Sequence, residues 1–328
     1  MFDGMAPNAK QDLAIMVVPS ARRAEAIAWL WPQHNPATLE NLMQVYEKAA
    51  LKQGAGYWNG LIGAFRAGQL VGAAWAEVQP GRVAALHGPR TSISEPPSLA
   101  DELLLPAMNH AIASQVSMLQ ALKSPAELPE IQALQRQDLR HVADLTFLHR
   151  ELVGQIGETD PVTPLAFLPY CAEHDARLRA VIERTYQGSL DCPAVDGLRT
   201  IDEVLAGYRA TGLYRAERWL IASASLEPAG PVSDVGCLLL AEQPASGHWE
   251  LLYMGVVPEA RGRGWGLDMV RRAVSMAQHA GATGVLLAVD AANLPGLQMY
   301  AAADFTAFDR RKLYLRVLRA SDSPQIQG

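Results

Sequence analysis

Arg261-Gly262-Arg263-Gly264-Trp265-Gly266 has the residue types and the spacing to hold a pyrophosphate. Glycines let a backbone approach a ligand with no Cβ in the way. An apolar strand leads into this loop through Val256-Val257-Pro258, and an amphipathic helix leads out of it. The first turn of that helix aims free N–H groups, and the positive end of its dipole, at the loop. Arg261 and Arg263 add fixed positive charge. No Gly-Lys-Ser/Thr follows, so the loop is not a P-loop, and its glycines do not fit the G-x-G-x-x-G dinucleotide spacing.

The elements that position this loop are legible in the second half of the chain. Leu165–Tyr170 reads as a strand. Asp175–Tyr186 reads as a helix, with Leu178, Val181, Ile182 and Tyr186 on one face. A turn-rich loop follows from Gly188 to Gly197. Thr200–Ala210 reads as a helix: Thr200 with Glu203 makes a capping box, and Gly212 ends it. Trp219–Ser225 and Val235–Glu242 suggest a hairpin. Trp249–Val257 is the strand entering the loop, and Leu267–His279 the helix leaving it. Gly284–Asp290 is nearly all apolar, as in a strand buried on both faces. Leu294–Ala303 reads as a short helix, and Thr306–Leu318 supplies one or two closing strands.

The first half repeats this order. Leu13–Val18 matches the opening strand, and Ala24–Leu51 is helical with breaks near Pro32 and Pro36. Gly60–Phe65 and Leu70–Val78 form a hairpin around Ala67-Gly68. Val71-Gly72 corresponds to Val235-Gly236, and Leu134–Leu139 to Tyr300–Phe305. Arg82–Leu86 parallels the loop-entering strand, Leu99–Ser114 the helix after it, and Val116–Leu122 the next strand. At the loop itself the halves differ. The first has Pro89-Arg-Thr-Ser-Ile-Ser-Glu-Pro-Pro97, without glycines and with prolines that remove N–H donors. Gly154–Pro161, rich in turn residues, reads as the linker. The expected division is therefore 1–155 and 156–328.

With 328 residues, 49% of them hydrophobic and 19% charged, the composition is that of a soluble globular protein. A net charge of −6 and a pI near 5.8 argue against non-specific nucleic-acid binding. Cys171, Cys192 and Cys237 are odd in number and lack metal-ligand spacing, so neither a disulfide framework nor a metal is expected. No apolar run reaches the roughly 20 residues of a membrane span. Met1–Asn8 has no charged region leading into an apolar core, and a cytoplasmic location is the expectation.

With its strand, proline and following helix, Arg261-x-x-Gly264-x-Gly266 resembles the coenzyme A loop of the GNAT acyltransferase superfamily. The likeness covers roughly 165–318 well and 13–152 weakly. It implies an α/β (α+β) fold of two tandem GNAT-like domains, each a mixed, mostly antiparallel sheet flanked by helices. The first copy is degenerate. Glu250–Pro258 and the tandem arrangement resemble those of mycothiol synthase, too thinly to assign its chemistry.

The resemblance implies acetyl-CoA as co-substrate, no metal, and an amine of a small molecule or peptide as acceptor. Pyrophosphate would meet Arg261, Gly262, Arg263, Gly264, Trp265 and Gly266. Met254, Val256 and Val257 would hold the pantetheine arm and the thioester carbonyl, and Asn293 would contact the arm. An amine must lose a proton before it attacks. Strand alternation puts residues 250, 252, 254 and 256 on one face, which makes Glu250 the expected base; Glu242 and Asp234 are alternatives. Tyr300 is the expected acid, protonating the departing thiolate. Asp304 stands where the superfamily usually has glycine. Asp191, Arg199 and Asp202 lie in or near the turn-rich loop and are candidates for acceptor selection. A covalent route through Cys192 lacks a histidine partner. His248 and His279 read as solvent-facing and structural, and Trp29, Trp31, Trp58 and Trp75 as core and domain interface. The alternative is an acyl-CoA-binding regulatory or scaffold protein without turnover. A partner-binding role also stays open for the first half, with its Ser94–Ser98 and Leu103–Pro106 segments.

Overall fold

The computed structural model describes residues 13–54, 56–152 and 163–318. Gly154–Pro161, expected as the linker, and the 155/156 division lie outside them. Two compact units result: 13–141 with 314–318, and 142–152 with 163–313.

In the first unit the chain forms β1 (Leu13–Val17), α1 (Arg23–Leu30), α2 (Pro36–Gln53), β2 (Leu61–Arg66), β3 (Gln69–Gln79), β4 (Val83–Thr91), α3 (Ser98–Ala113), β5 (Met118–Lys123) and α4 (Leu128–Arg136). Asn35 caps α2 by accepting the Thr38 N–H at 2.9 Å, with Pro36 where a missing donor costs nothing. Strands β1 to β4 pair antiparallel in sequence order. Strand β5 joins β4 in parallel, but only Val83–Ala85 pair with Met118–Gln120 before the two part. Leu99, Leu103, Leu104 and Met108 of α3 bury one face of this sheet. Trp58 and Trp75 lie in the core on the α1 and α2 side, with Trp29 and Trp31 packed against it.

The second unit takes most of β6 (Arg140–Glu151), a strand the sequence reading leaves unassigned. It continues with β7 (Ala166–Pro169), α5 (Asp175–Tyr186), α6 (Ile201–Ala210), β8 (Trp219–Ser225), β9 (Val232–Gln243), β10 (His248–Val256), α7 (Trp265–His279), β11 (Gly284–Asp290), α8 (Leu294–Ala301) and the larger part of β12 (Thr306–Val317), up to Leu313. Sheet order is β7-β8-β9-β10-β11-β6, antiparallel except for β10 beside β11. The expected capping box of α6 is present: Glu203 N–H donates to Thr200 Oγ1 at 3.3 Å and Thr200 N–H to Glu203 Oε2 at 2.9 Å. Helix α7 buries Met269, Val270, Ala273, Val274 and Ala277 against the sheet.

The two units end their last helix in the same way. Leu139 N–H reaches Leu134 O at 3.1 Å, and Phe305 N–H reaches Tyr300 O at 3.0 Å. Asp138 and Asp304 between them both take φ near +60°, the left-handed region that glycine prefers and aspartate tolerates. The departure at Asp304 is thus accommodated in the backbone.

Candidate functional site

Strands β10 and β11 pair only over His248–Glu250 with Gly284–Leu286, then diverge. Val257 N–H turns the other way and donates to Val235 O at 2.9 Å. Alternate residues of a strand send their N–H and C=O to opposite sides, so those of Met254 and Val256 face the opening.

A cavity of about 840 Å³ fills this opening, lined among others by Met254, Val256, Arg261, Gly262, Gly264, Trp265, Gly266, Asn293 and Tyr300. At its mouth, φ is +76° at Gly262 and +81° at Gly264, with nothing within 4 Å of an added Cβ. Gly266 differs: a Cβ there would meet Met299 Sδ at 2.7 Å, so it permits close packing of α8. Among the described residues, the N–H groups of Gly262, Arg263, Gly264, Trp265 and Gly266 have no hydrogen-bond acceptor. Free donors at a helix N-terminus beside open space suit an anion. In the first unit, Ser92, Ser94 and Glu95 N–H groups already have acceptors in the corresponding loop, two prolines follow, and the Glu95 carboxylate pairs with Arg66.

Arg261 plays an unexpected part. Its guanidinium donates to Val256 O at 3.1 Å, Gly188 O at 2.9 Å and Thr185 O at 2.9 Å. It ties the loop to β10 and to the end of α5. The Arg263 guanidinium lies 5.4 Å from the centroid of the Trp265 ring. Val257, with its N–H engaged and its side chain fully buried, does not line the cavity.

A local irregularity changes which residues of β10 share a face with the expected base. A bulge between Leu251 and Tyr253 adds one residue to β10, so Glu250 no longer shares a face with residues 254 and 256. Its carboxylate accepts from Gln243 Nε2 at 2.6 Å, away from the cavity lining, and burial raises its pKa. Asp234 is held by Arg177 at 2.6 and 3.0 Å, and Glu242 pairs with Arg218. Neither lines the cavity.

Asp191 and Asp196 do line it. Asp191 Oδ1 accepts the Asp290 N–H at 2.7 Å, and Cys192 N–H donates back to Asp290 Oδ2 at 3.2 Å. Asn293 caps α8, accepting from Gly296 N–H at 3.0 Å, and also bonds Asp191. Asp191 is reached from the cavity yet closely surrounded, and burial, with the Asp290 charge, pushes its carboxyl above the usual range. Tyr300, 8% exposed, lines the cavity and has no hydrogen-bond partner among the described residues. Burial, then the Asp191 charge, raises its hydroxyl pKa.

The far wall is aromatic. The Tyr253 ring lies 5.5 Å from Tyr186 and 5.9 Å from Tyr208. Arg199 also lines this end. Asp202 is instead tied to Arg179 at 2.6 Å, outside the lining. Cys192 lines the cavity, but burial and the Asp191 charge push its thiol up to about 12. His248 Nδ1 lies 3.0 Å from Ser246 O and His279 Nδ1 2.7 Å from Ser275 O, both away from the cavity.

Residues 206–305, spanning β8 to α8, match the model of the acetyltransferase (GNAT) family. The second unit carries a GNAT domain. Solved structures share its fold. A GCN5-related N-acetyltransferase from Sphaerobacter thermophilus is 16% identical with a TM-score of 0.67, over 95% of this chain and 98% of that one. The glucosamine N-acetyltransferase region of a fungal multi-domain β-N-acetylglucosaminidase is 14% identical with a TM-score of 0.64, over 96% of this chain and 39% of that one. A tandem GNAT protein from the clavulanic acid pathway is 13% identical with a TM-score of 0.50, over 95% and 100%. At such identities these structures show the fold, which is α/β with GNAT-like units in tandem. They do not single out mycothiol synthase. No curated protein matches the chain in sequence. Among the described residues, no cluster of three or more His, Cys, Asp or Glu side chains is arranged to hold a metal, and no helix is long and apolar enough to cross a membrane.

Proposed function

We propose that the GNAT domain transfers an acetyl group from acetyl-CoA to a primary amine, by direct attack within a ternary complex. The observation that carries this reading is the convergence, in one cavity, of the N–H groups of Gly262, Gly264, Trp265 and Gly266, without acceptors among the described residues, and the Tyr300 side chain. A cradle that a Cβ at Gly264 would enter fits a pyrophosphate. Acetyl-CoA, when bound, supplies the thioester.

The N–H groups of Gly262–Gly266 hold the pyrophosphate. Met254 and Val256 offer backbone groups to the pantetheine arm, and preorganised N–H donors there stabilise negative charge on the carbonyl oxygen. Arg261 holds the cradle in shape through its three carbonyl partners. Asn293 fixes Asp191 at the cavity wall.

The amine nitrogen forms the new C–N bond as the C–S bond breaks. One amine proton passes to a carboxylate. Glu250 is bonded to Gln243 and does not line the cavity; Asp191 stands on the cavity wall, where its charge is felt by Tyr300. We therefore assign the proton to Asp191, with Glu250 as the remote alternative. Tyr300, kept protonated by its raised pKa, gives its proton to the leaving thiolate. Cys192, with its thiol near 12, is a poor nucleophile at neutral pH, which favours direct attack.

Steady-state kinetics test this. Release of free CoA thiol should depend on an added amine, and varying acetyl-CoA against amine should give intersecting reciprocal plots. Parallel plots would mean an acyl-enzyme. Binding of acetyl-CoA without thiol release across amine classes would return the protein to a non-catalytic acyl-CoA binder.

A further inference from the structure

The acceptor end of the cavity carries an ordered set of charges. The Asp191 charge is felt at Tyr253 and Tyr300, on the side of the transfer chemistry. The Arg199 charge is felt at Tyr186 and Tyr208. Tyr253 lies within 5.9 Å of both of those rings, so the three tyrosines span the space between carboxylate and guanidinium. Arg199 makes no hydrogen bond or ion pair among the described residues, although it borders the cavity. Asp196, the second carboxylate of this wall, makes no ion pair with it. A guanidinium without an anion, beside a wall of flat rings, is a receptor for a planar anionic group.

Resting on the acetyl-transfer reading above, we propose that the acceptor is a small zwitterionic amine. Its ammonium faces Asp191, its flat or apolar body packs on Tyr253, Tyr186 and Tyr208, and a carboxylate or similar anion at its other end meets Arg199. The charge of Asp196 is felt at Asp191 and at Tyr186, so it adds negative charge to the wall between the two ends. The arrangement selects against amines with a second positive charge at the distal end, which would meet the guanidinium.

Two probes separate this from a general amine site. 4-(Aminomethyl)benzoate has an ammonium and a carboxylate at opposite ends of one ring, and benzylamine lacks the carboxylate. With acetyl-CoA and the full chain, kcat/KM for 4-(aminomethyl)benzoate should exceed that for benzylamine by about 10–100-fold, the range of one charge-assisted bidentate contact. In Arg199→Gln the ratio of the two should fall toward one. Equal use of both probes, a preference for benzylamine, or a ratio unchanged in Arg199→Gln would overturn the inference. So would failure to acetylate either probe by a protein whose acetyl-CoA binding is confirmed by calorimetry in the same sample. Absence of that binding would instead remove the acetyl-transfer reading beneath it.

Discussion

Asp191 Oδ1 accepts the backbone N–H of Asp290 at 2.7 Å, joining the loop after α5 to the end of β11, 99 residues away in sequence. Asp191 is open to the cavity, but the atoms packed around its carboxyl oppose ionisation and shift it above the ordinary range. A base works when deprotonated, so kcat/KM should rise with pH through that raised pKa. Asp191→Asn keeps an acceptor for the Asp290 N–H and loses the base. It should lower kcat/KM by about 10²–10⁴-fold and abolish that limb of the pH profile, while acetyl-CoA affinity stays the same. An unaltered profile would move the base elsewhere.

Glu250 gives a contrasting result. Its folded-state pKa is raised by burial, so the folded protein holds the proton more tightly than the unfolded chain. The associated stability is present below the usual glutamate pKa and is lost as pH rises through the folded value. Glu250→Gln should therefore melt at a higher temperature than the parent near pH 8, with a smaller difference near pH 4, and retain its pH–rate profile. Thermal melts at both pH values, beside the kinetics, check this. A flattened pH–rate profile would restore Glu250 as the base.

Tyr300→Phe removes a hydroxyl that has no hydrogen-bond partner among the described residues and leaves its ring against Phe305 at 5.8 Å. The fold and the acetyl-CoA dissociation constant should hold, and kcat should drop by about 10²-fold. Stopped-flow measurement of thiol release separates the chemical step from product release. Parental kcat would return Tyr300 to a packing role.

Arg261→Ala cuts three ties to carbonyls of α5, the loop after it and β10. Hydrogen bonds from a charged group are worth about 1.5–3 kcal/mol each when buried, less at an exposed site. Acetyl-CoA should bind at least ~10-fold more weakly. Hydrogen exchange at 185–190 should also rise in the absence of any ligand, which loss of a phosphate contact alone would not cause.

Much of this site is written in local chemistry. Gly262 and Gly264 take the left-handed φ that their placement before a helix requires. The Thr200–Glu203 capping box is a three-residue signal, and Asp304 adopts the helix-ending turn of the glycine it replaces. What escaped the sequence is long-range or a matter of register. The bulge at Leu251–Tyr253 shifts a face by one residue, so that Glu250 shares its face with Tyr253 and Gly255 and not with Met254 and Val256. Leu145–Glu151 pairs with Gly284–Asp290, more than 130 residues on, with no local mark of that partner. Tyr186, Tyr208 and Tyr253 meet only after folding, so an aromatic wall cannot be seen in their spacing. Arg261 has the right residue type for an anion but spends its donors on the backbone.

If the reading is right, the N–H groups of the loop before α7 bind the pyrophosphate of acetyl-CoA. Calorimetric titration of the full chain with acetyl-CoA, beside Gly264→Glu, tests it most directly. An added side chain at Gly264 meets nothing within 4 Å, so the variant's strain comes from φ of +81° alone, roughly 1–2 kcal/mol, and its carboxylate enters the cradle. One site per chain in the parent, with binding lost or weakened at least ~100-fold in a variant that melts cooperatively, is the predicted result. Two sites would mean that the first unit also binds the donor. No binding in the parent, or equal binding in the variant, would contradict the account.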